Sequence, residues 1–486
     1  MIRKSLLALL ICASACADSD VIAITDVTVV DVALGETEAG QTVLVSGRRI
    51  LEVGPSGVVD VPRGARRVEG SGRFLIPGLW DMHVHTSSDE ISRQTILPLF
   101  IANGVTGVRI MAADCFEEEP PGCREEGFPE ALPTIFTVRE WQKEVAEGRQ
   151  VGPRMFAGSY YMNSPSPDEP STPYYPRTEE HGRAHARLLH GRGVDFAKIY
   201  SGLSREAFFG FADEASSLGL RFEGHTPFSV WPSEVSDAGQ RSIEHLGFGN
   251  VEMECSTDAE RLRHRLVEEF DTPTPELLPI LLEQVATYHP MKCRELAELF
   301  VQNGTWVTPT CMVARLPREL GQGWRSEPYA RFLHSAERAL WESREPLYDQ
   351  DLGTAEERAD HSRWTRELTR WMHEAGVRVL AGSDAGEVGV YWGIGLHQEL
   401  ALMVSAGLTE ADVLRAATLS AAEFMGAADT LGSIEPGKSA DLVLLDGDPL
   451  ENIRNTQRIA AVLAQGRLFD EDQLEAVLVG AQPGER

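Results

Sequence analysis

Between residues 74 and 430 the chain alternates short apolar, β-branched runs with longer helix-like stretches, and no other feature limits the fold as strongly. Candidate strands are Phe74-Leu-Ile76 running on to Trp80-Asp-Met-His-Val-His85, then 104–110, 154–157, 195–200, 221–225, 242–245, 305–309 and 378–384. Helical stretches such as 205–218 and 275–303 lie between them. Strands that recur after each helix must run parallel, and a count near eight implies a closed (β/α)8, TIM-like barrel of the α/β class. The segments 255–305 and 315–360 read as helical insertions over the barrel mouth.

The two ends have a different texture. Residues 21–61 hold short β-type runs broken by Gly and Pro, and matching runs return at 441–445 and 459–463. The expected organisation is a barrel over 74–430 and one small β-sandwich assembled from 18–73 and 431–486. Residues 1–17 read as an export signal, with basic Arg3 and Lys4 before a short apolar run and small residues. Ala13-Ser14-Ala15-Cys16 also has the layout of a lipobox, so lipidation of Cys16 and plain cleavage after Ala15 both stay open. The expected location is the periplasm or cell envelope, with membrane attachment only through Cys16.

Charge narrows the partners. With 45 Lys and Arg against 74 Asp and Glu, the formal net charge is −29. Such an acidic chain lacks the basic footprint that nucleic acid or an anionic membrane surface requires. Beyond the signal stand Cys115, Cys123, Cys255, Cys293 and Cys311, none in a Cys-x-x-Cys spacing, which disfavours a thiolate metal site. Cys115 and Cys123 bracket a Glu/Pro/Gly-rich stretch, where a loop-closing disulfide and two unpaired thiols are equal readings outside the cytoplasm. Oligomeric state is open.

Metal-binding and proton-moving residues stand at the ends of the candidate strands. His83 and His85 are two apart, so one strand face carries both imidazoles. His225 and His245 close the fifth and sixth strands and Asp384 the eighth. The C-terminal ends of barrel strands hold the active site, and nitrogen plus carboxylate donors suit zinc. Lys198 is one of only five lysines among the 45 basic residues, and it interrupts the apolar run Asp195-Phe-Ala-Lys-Ile-Tyr200. A free ammonium would repel metal ions, whereas a lysine carboxylated by CO2 is an anion able to bridge two of them; the other reading is a lysine whose tip reaches solvent or a carboxylate. Tyr200 shares the face of Lys198 and is either a substrate contact or a packed aromatic. Arg109 either binds a substrate carboxylate or supports a strand, and His397 either serves the substrate or lies on a helix surface.

These residues resemble the metal-dependent amidohydrolase superfamily, in the branch of imidazolonepropionase-like proteins and Xaa-Pro or Xaa-Arg zinc dipeptidases. The matching pieces are Ile76-Pro-Gly-Leu-Trp-Asp-Met-His-Val-His-Thr86, Val194-Asp-Phe-Ala-Lys-Ile-Tyr200, Gly224-His225, Ser242-Ile-Glu-His245, Ala381-Gly-Ser-Asp-Ala385, Gly395-Leu-His-Gln-Glu-Leu400, Ala416-Ala-Thr418 and Leu431–Leu442. The resemblance implies two Zn2+ ions or another divalent metal, one on His83, His85 and Asp384, the other on His225 and His245, bridged by carboxylated Lys198. It implies a metal-bridging hydroxide that attacks a small-molecule amide, a dipeptide or N-acyl amino acid, with Asp384 as proton shuttle. The loop after the third strand departs from the pattern, with Tyr160-Tyr161-Met162 where related dipeptidases have a Gly-Gly-His-type stretch. Arg109-Ile110 replaces the usual Arg-Asp, and Gly224 precedes His225 where many relatives have His-Ala-His. The alternatives are a one-metal hydrolase or deaminase acting on a cyclic amide or lactone, and an anchored binding protein without catalysis.

Overall fold

A computed structural model of the chain describes residues 21–114, 132–165, 168–247, 251–270, 278–313, 321–350 and 354–484. The signal and lipobox, and both Cys115 and Cys123, lie outside these residues. The first five strands are β1 (Val21–Asp31), β2 (Glu36–Ser46), β3 (Arg49–Pro55), β4 (Arg66–Glu69) and β5 (Phe74–Pro77). Seven more follow as β6 (Leu79–Val84), β7 (Val105–Ile110), β8 (Arg154–Met162), β9 (Phe196–Ile199), β10 (Phe222–Gly224), β11 (Ser242–Glu244) and β12 (Trp306–Thr308). The last three are β13 (Leu442–Leu445), β14 (Ile459–Ala464) and β15 (Arg467–Asp470).

Strands β6 to β12 lie side by side in chain order and pair in parallel. The eighth position is filled by residues 378–385, which form bridges rather than a full ladder. Val307 N–H donates to Arg378 O at 3.0 Å and Leu380 N–H to Val307 O at 2.9 Å on one side. On the other, Met82 N–H reaches Ala381 O at 2.9 Å and His85 N–H reaches Ala385 O at 2.8 Å, which closes the barrel. Crossover helices start and stop where their sequence dictates. Thr178 caps the helix Glu179–Arg192, and Ser204 caps Arg205–Leu218 through its side-chain oxygen. Left-handed glycines, Gly193 and Gly219, end them. Pro290 splits the helix expected over 275–303 into Leu278–Ala286 and Pro290–Asn303, because a proline restricts the residue before it to extended backbone.

The strands from both ends form one separate sheet in the order β15-β14-β13-β5-β1-β2-β3, with β4 also on β1. The sandwich expectation thus resolves into a single continuous hydrogen-bonded path. Phe74–Pro77, assigned from sequence to the first barrel strand, belongs to this sheet, paired with β13 and β1. The boundary falls at Gly78, where a Cβ would stand 2.0 Å from Thr106 Oγ1, so the chain passes from sheet to barrel only with glycine there. Strand β13 is apolar on both faces for a structural reason. Leu442 and Leu444 pack into the core of the end sheet, and Val443 and Leu445 into the core of the barrel.

The first insertion packs Leu262, Leu266 and Ile280 against Phe228 and Met253, residues that follow β10 and β11. Cys255 is disulfide-bonded to Cys293 and Cys311 is a buried free thiol. The second insertion places the helix Ser335–Gln350 over the mouth. No helix among the described residues is long and apolar enough to cross a membrane.

Candidate metal centre

His83 lies one residue before the end of β6 inside the barrel and is fully buried, and His85 follows just beyond the strand. The Nε2 atoms of both approach Asp384 Oδ1, at 3.4 Å and 2.9 Å, while His245 Nδ1 lies 3.6 Å from Asp384 Oδ2. Donor atoms of His83, His245 and Asp384 all fall within 4.8 Å of one another. The ring of His245 is centred 4.5 Å from that of His83 and 4.7 Å from that of His225. The four imidazoles and Asp384 therefore cluster at the C-terminal end of the barrel, with His225 joined to the group through His245.

Backbone conformation makes this convergence. Glu244 and His245 are neighbours, and on a regular strand they would face opposite ways. His245 takes φ +63°, Asp384 φ +64° and Thr310 φ +47°, the left-handed region that non-glycine residues occupy at a cost of about 1–3 kcal/mol each and that clusters at functional sites. The turn at His245 lets Glu244 and His245 serve the same centre.

Each imidazole has its Nδ1 held by another protein group. The partners are Glu244 Oε2 for His83 at 2.9 Å, Tyr161 Oη for His85 at 3.3 Å, Ser201 Oγ for His225 at 2.7 Å and Thr310 Oγ1 for His245 at 2.8 Å. Such partners fix ring orientation and leave the second nitrogen for a metal. His83 Nε2 and Lys198 Nζ are buried without a hydrogen-bond partner among the described residues. Orphaned donors of this kind, converging with a carboxylate, fit a cation held in common.

Lys198 sits on β9 and is fully buried, its backbone N–H donated to Ser159 Oγ at 2.9 Å. A Cβ on Gly224, at φ +134°, would meet Ile199 O at 2.3 Å and Lys198 Cδ at 3.1 Å. The glycine before His225 thus gives the lysine its room. Burial lowers the Lys198 ammonium to about 8, against the pull of Glu244 and Asp384. Burial, with the Lys198 charge next, drives His83 and His225 well below the ordinary imidazole value. Burial takes His245 to about 4 against the opposing charge of Asp384. For Asp384 burial acts upward, but His245, His85 and Lys198 together hold it below the ordinary carboxylate range. His83, His225 and His245 are accordingly neutral donors and Asp384 an anion near neutral pH.

Arg109 does not reach the substrate side. It is fully buried beneath the histidines, and all five of its N–H donors are engaged: Nε with Met82 O, Nη1 with Glu223 and Ser242, Nη2 with Glu244 and Thr308. In this position Arg109 contacts Glu244, which in turn holds His83. His397 is also remote from the centre. Its ring is buried between Thr456 Oγ1 at 2.8 Å and Asn103 O at 2.9 Å, toward the opposite end of the barrel, so neither nitrogen is left for substrate. Tyr200 does lie at the centre, its ring 4.3 Å from His225 and 4.5 Å from Tyr161.

Glu244, Tyr161, Ser201 and Thr310 were not singled out from sequence. Tyr161 comes from the very stretch that departs from the dipeptidase pattern, and the tyrosine pair was its signal. Glu399, buried on the helix Ile394–Ala406, accepts the backbone N–H groups of Cys311 at 2.9 Å and Met312 at 2.8 Å and so pins the loop that carries Thr310. Burial pushes its carboxyl up to about 8 from 4.5. Between those values the folded chain holds a proton that the unfolded chain has released, so stability falls as pH rises. Wild type should therefore lose stability relative to Glu399→Gln between pH 4.5 and about 8 in urea titrations; parallel pH profiles would refute this.

His85 of the centre borders a cleft lined also by Tyr161, Glu337, Trp341, Arg344 and Trp392.

Comparisons with known proteins agree with this picture. The chain is similar to a bottromycin amidohydrolase at 22% identity and TM-score 0.71, over 95% of this chain and 90% of that one. It is similar to a Xaa-Pro dipeptidase with methionine bound in its active site at 18% identity and TM-score 0.64, over 93% and 100% of the two chains. At these identities the likeness is one of fold. An adenine deaminase of Mesorhizobium japonicum is 32% identical over 81 residues, which is 17% of this chain and 13% of that enzyme's length. The amidohydrolase family model matches residues 74–469, spanning the barrel and every candidate ligand, and the chain belongs to the amidohydrolase family.

Proposed function

We propose that this chain hydrolyses the amide C–N bond of a small molecule, a dipeptide or an N-acyl amino acid, at a centre of two divalent metal ions, Zn2+ foremost. The observation that carries the reading is the convergence of four imidazoles, each anchored through Nδ1, with Asp384 and the orphaned Lys198 Nζ. His83, His85 and Asp384 would hold one ion and His225 and His245 the other, with carboxylated Lys198 between them. An amine lowered to about 8 is partly unprotonated near neutral pH, the form that adds CO2 to give a carbamate and a proton. Bound metal supplies Lewis acidity and lowers the pKa of water.

The chain's own residues do the rest. Asp384, a buried anion beside His85, accepts a proton from the attacking water and returns it to the leaving amine. Tyr161 and Tyr200 form an aromatic wall beside His85 and His225, where a substrate carbonyl would be oriented. Release into an oxidising compartment, through the segment 1–17 and with Cys16 as a lipid anchor if the lipobox is read, is part of the same proposal. The Cys255–Cys293 disulfide supports it, because such bonds persist outside the cytoplasm.

Metal analysis with a turnover assay tests the reading. The purified chain should carry about two equivalents of metal, as expected for a carboxylate-bridged pair. Lys198→Ala should lower that content and cut activity at least about a hundredfold. A metal-free preparation with full activity overturns it. Little loss in Lys198→Ala would favour the one-metal alternative on a cyclic amide, lactone or amino-purine-like substrate, to which the adenine deaminase similarity also points.

A further inference from the structure

The helix Ser335–Gln350 presents Glu337, Trp341 and Arg344 to the cleft, at positions i, i+4 and i+7 of one face. Glu337 is 6% exposed. Ser87, two residues beyond His85, donates its hydroxyl to Glu337 Oε1 at 2.5 Å, which ties the carboxylate to the strand end that carries the metal centre. The other oxygen, Oε2, is buried with no hydrogen-bond partner among the described residues, and so is Thr86 Oγ1 on the same cleft wall. Arg344, the cationic side chain on this helix face, is 3.4 Å from Glu387. A buried carboxylate with one oxygen unmatched is costly, and the cost is offset when a cation arrives with its own N–H donors.

The neighbours suit a cation. Trp341 Nε1 donates to Gly386 O at 3.1 Å and Trp392 Nε1 to His85 O at 2.7 Å, so two indoles are fixed along the same cleft. Indole rings attract ammonium and guanidinium groups electrostatically, and more strongly where water is thin. A free anion would meet Glu337 and Glu387 as like charges, with Arg344 already drawn to Glu387, and a neutral N–H donor could match Oε2 but would leave the Glu337 charge uncompensated.

We propose that Glu337 is a specificity residue that anchors a cationic group of the substrate, an ammonium or a guanidinium, within the cleft beside the metal centre. The Oε2 atom accepts from the ligand's N–H, Thr86 Oγ1 accepts a second, and Trp341 and Trp392 flank the charge. This rests on the amide-hydrolase reading and narrows it to amides that bear a positive charge close to the scissile bond. The charge has two sources, the α-ammonium of a dipeptide or a basic side chain.

Two matched substrate pairs separate them: free against N-acetylated dipeptides, and arginine- against citrulline-containing dipeptides. Wild type should favour the charged member of one pair by about tenfold or more in kcat/KM, the scale of a charge-assisted hydrogen bond. In Glu337→Gln that ratio should fall toward one, and the pair that collapses names the source. Binding is read independently of turnover by titrating metal-stripped wild type and Glu337→Gln with arginine, citrulline and Nα-acetylarginine. Tighter binding of arginine over one neutral counterpart in wild type, lost in the variant, is the expected result. Equal binding of all three by wild type, or a preference that survives Glu337→Gln, overturns the proposal. Failure to hydrolyse any amide, with the binding preference intact, would instead overturn the hydrolase reading alone.

Discussion

Asp384→Asn should lower kcat by about 10²–10⁴-fold, the usual contribution of a positioned acid–base group, while the metal content stays near that of wild type. The substitution is close to a pure removal of the proton acceptor. Asn keeps the size and one carbonyl oxygen of Asp, and it is among the few residues that tolerate the left-handed backbone found at φ +64°. The imidazoles around it are held from behind by Glu244, Tyr161, Ser201 and Thr310, and His85 is the one that also lies within 2.9 Å of Asp384. Steady-state kinetics beside metal analysis decides the matter. A variant with more than a tenth of wild-type kcat would remove Asp384 from the proton path, and one that loses its metal would make it chiefly a ligand.

Arg109→Met should destabilise the fold by about 3–5 kcal/mol, the range seen when one partner of a buried ion pair is removed. Glu244 would be left as an anion deep in the barrel without its guanidinium partner, and Glu223 would keep only Arg221 among the described residues; both side chains are wholly inaccessible to solvent. Arg109→Lys should recover little, since one ammonium cannot reproduce five N–H bonds spread over Met82, Glu223, Ser242, Glu244 and Thr308. Urea denaturation gives the stability change. A second effect follows from Glu244, which orients His83: metal affinity in Arg109→Lys should drop by about 10–100-fold, as is usual when a partner behind a ligand is disturbed. Wild-type stability and affinity in both variants would show the network to be dispensable.

The barrel was legible in the sequence because parallel strands buried on both faces read as unbroken apolar runs, and the ligands stood out at the ends of those runs. Lys198 was legible through rarity, a lone lysine in an apolar strand of an arginine-rich chain, and it is indeed wholly buried. What hid was whatever depended on a backbone turn or a distant partner. Glu244 beside His245 looks outward under strict alternation, and only the left-handed turn at His245 brings both inward. Arg109 looks like a substrate clamp until Glu223 and Glu244 are found beneath it, and no local pattern links residues so far apart. His397 failed as a site residue for the same reason, its partners Asn103 and Thr456 being remote in the chain. The eighth strand was correctly placed although it pairs only through bridges, because Ala381-Gly-Ser-Asp384 carries both its apolar and its chemical signal.

The pairing of β5 with β13, Phe74 opposite Leu445, sets an order of events in the making of this molecule. Strands β1, β2 and β3 can zip together as soon as they leave the ribosome, but Leu75 has no apolar cover on its β13 side until nearly the whole chain has been synthesised. Contacts so distant in sequence form late and slowly. The last strands therefore act as a clasp: the end sheet completes only in chains that have been read through, and a product truncated before β13 would expose a sheet edge that aggregates or is degraded.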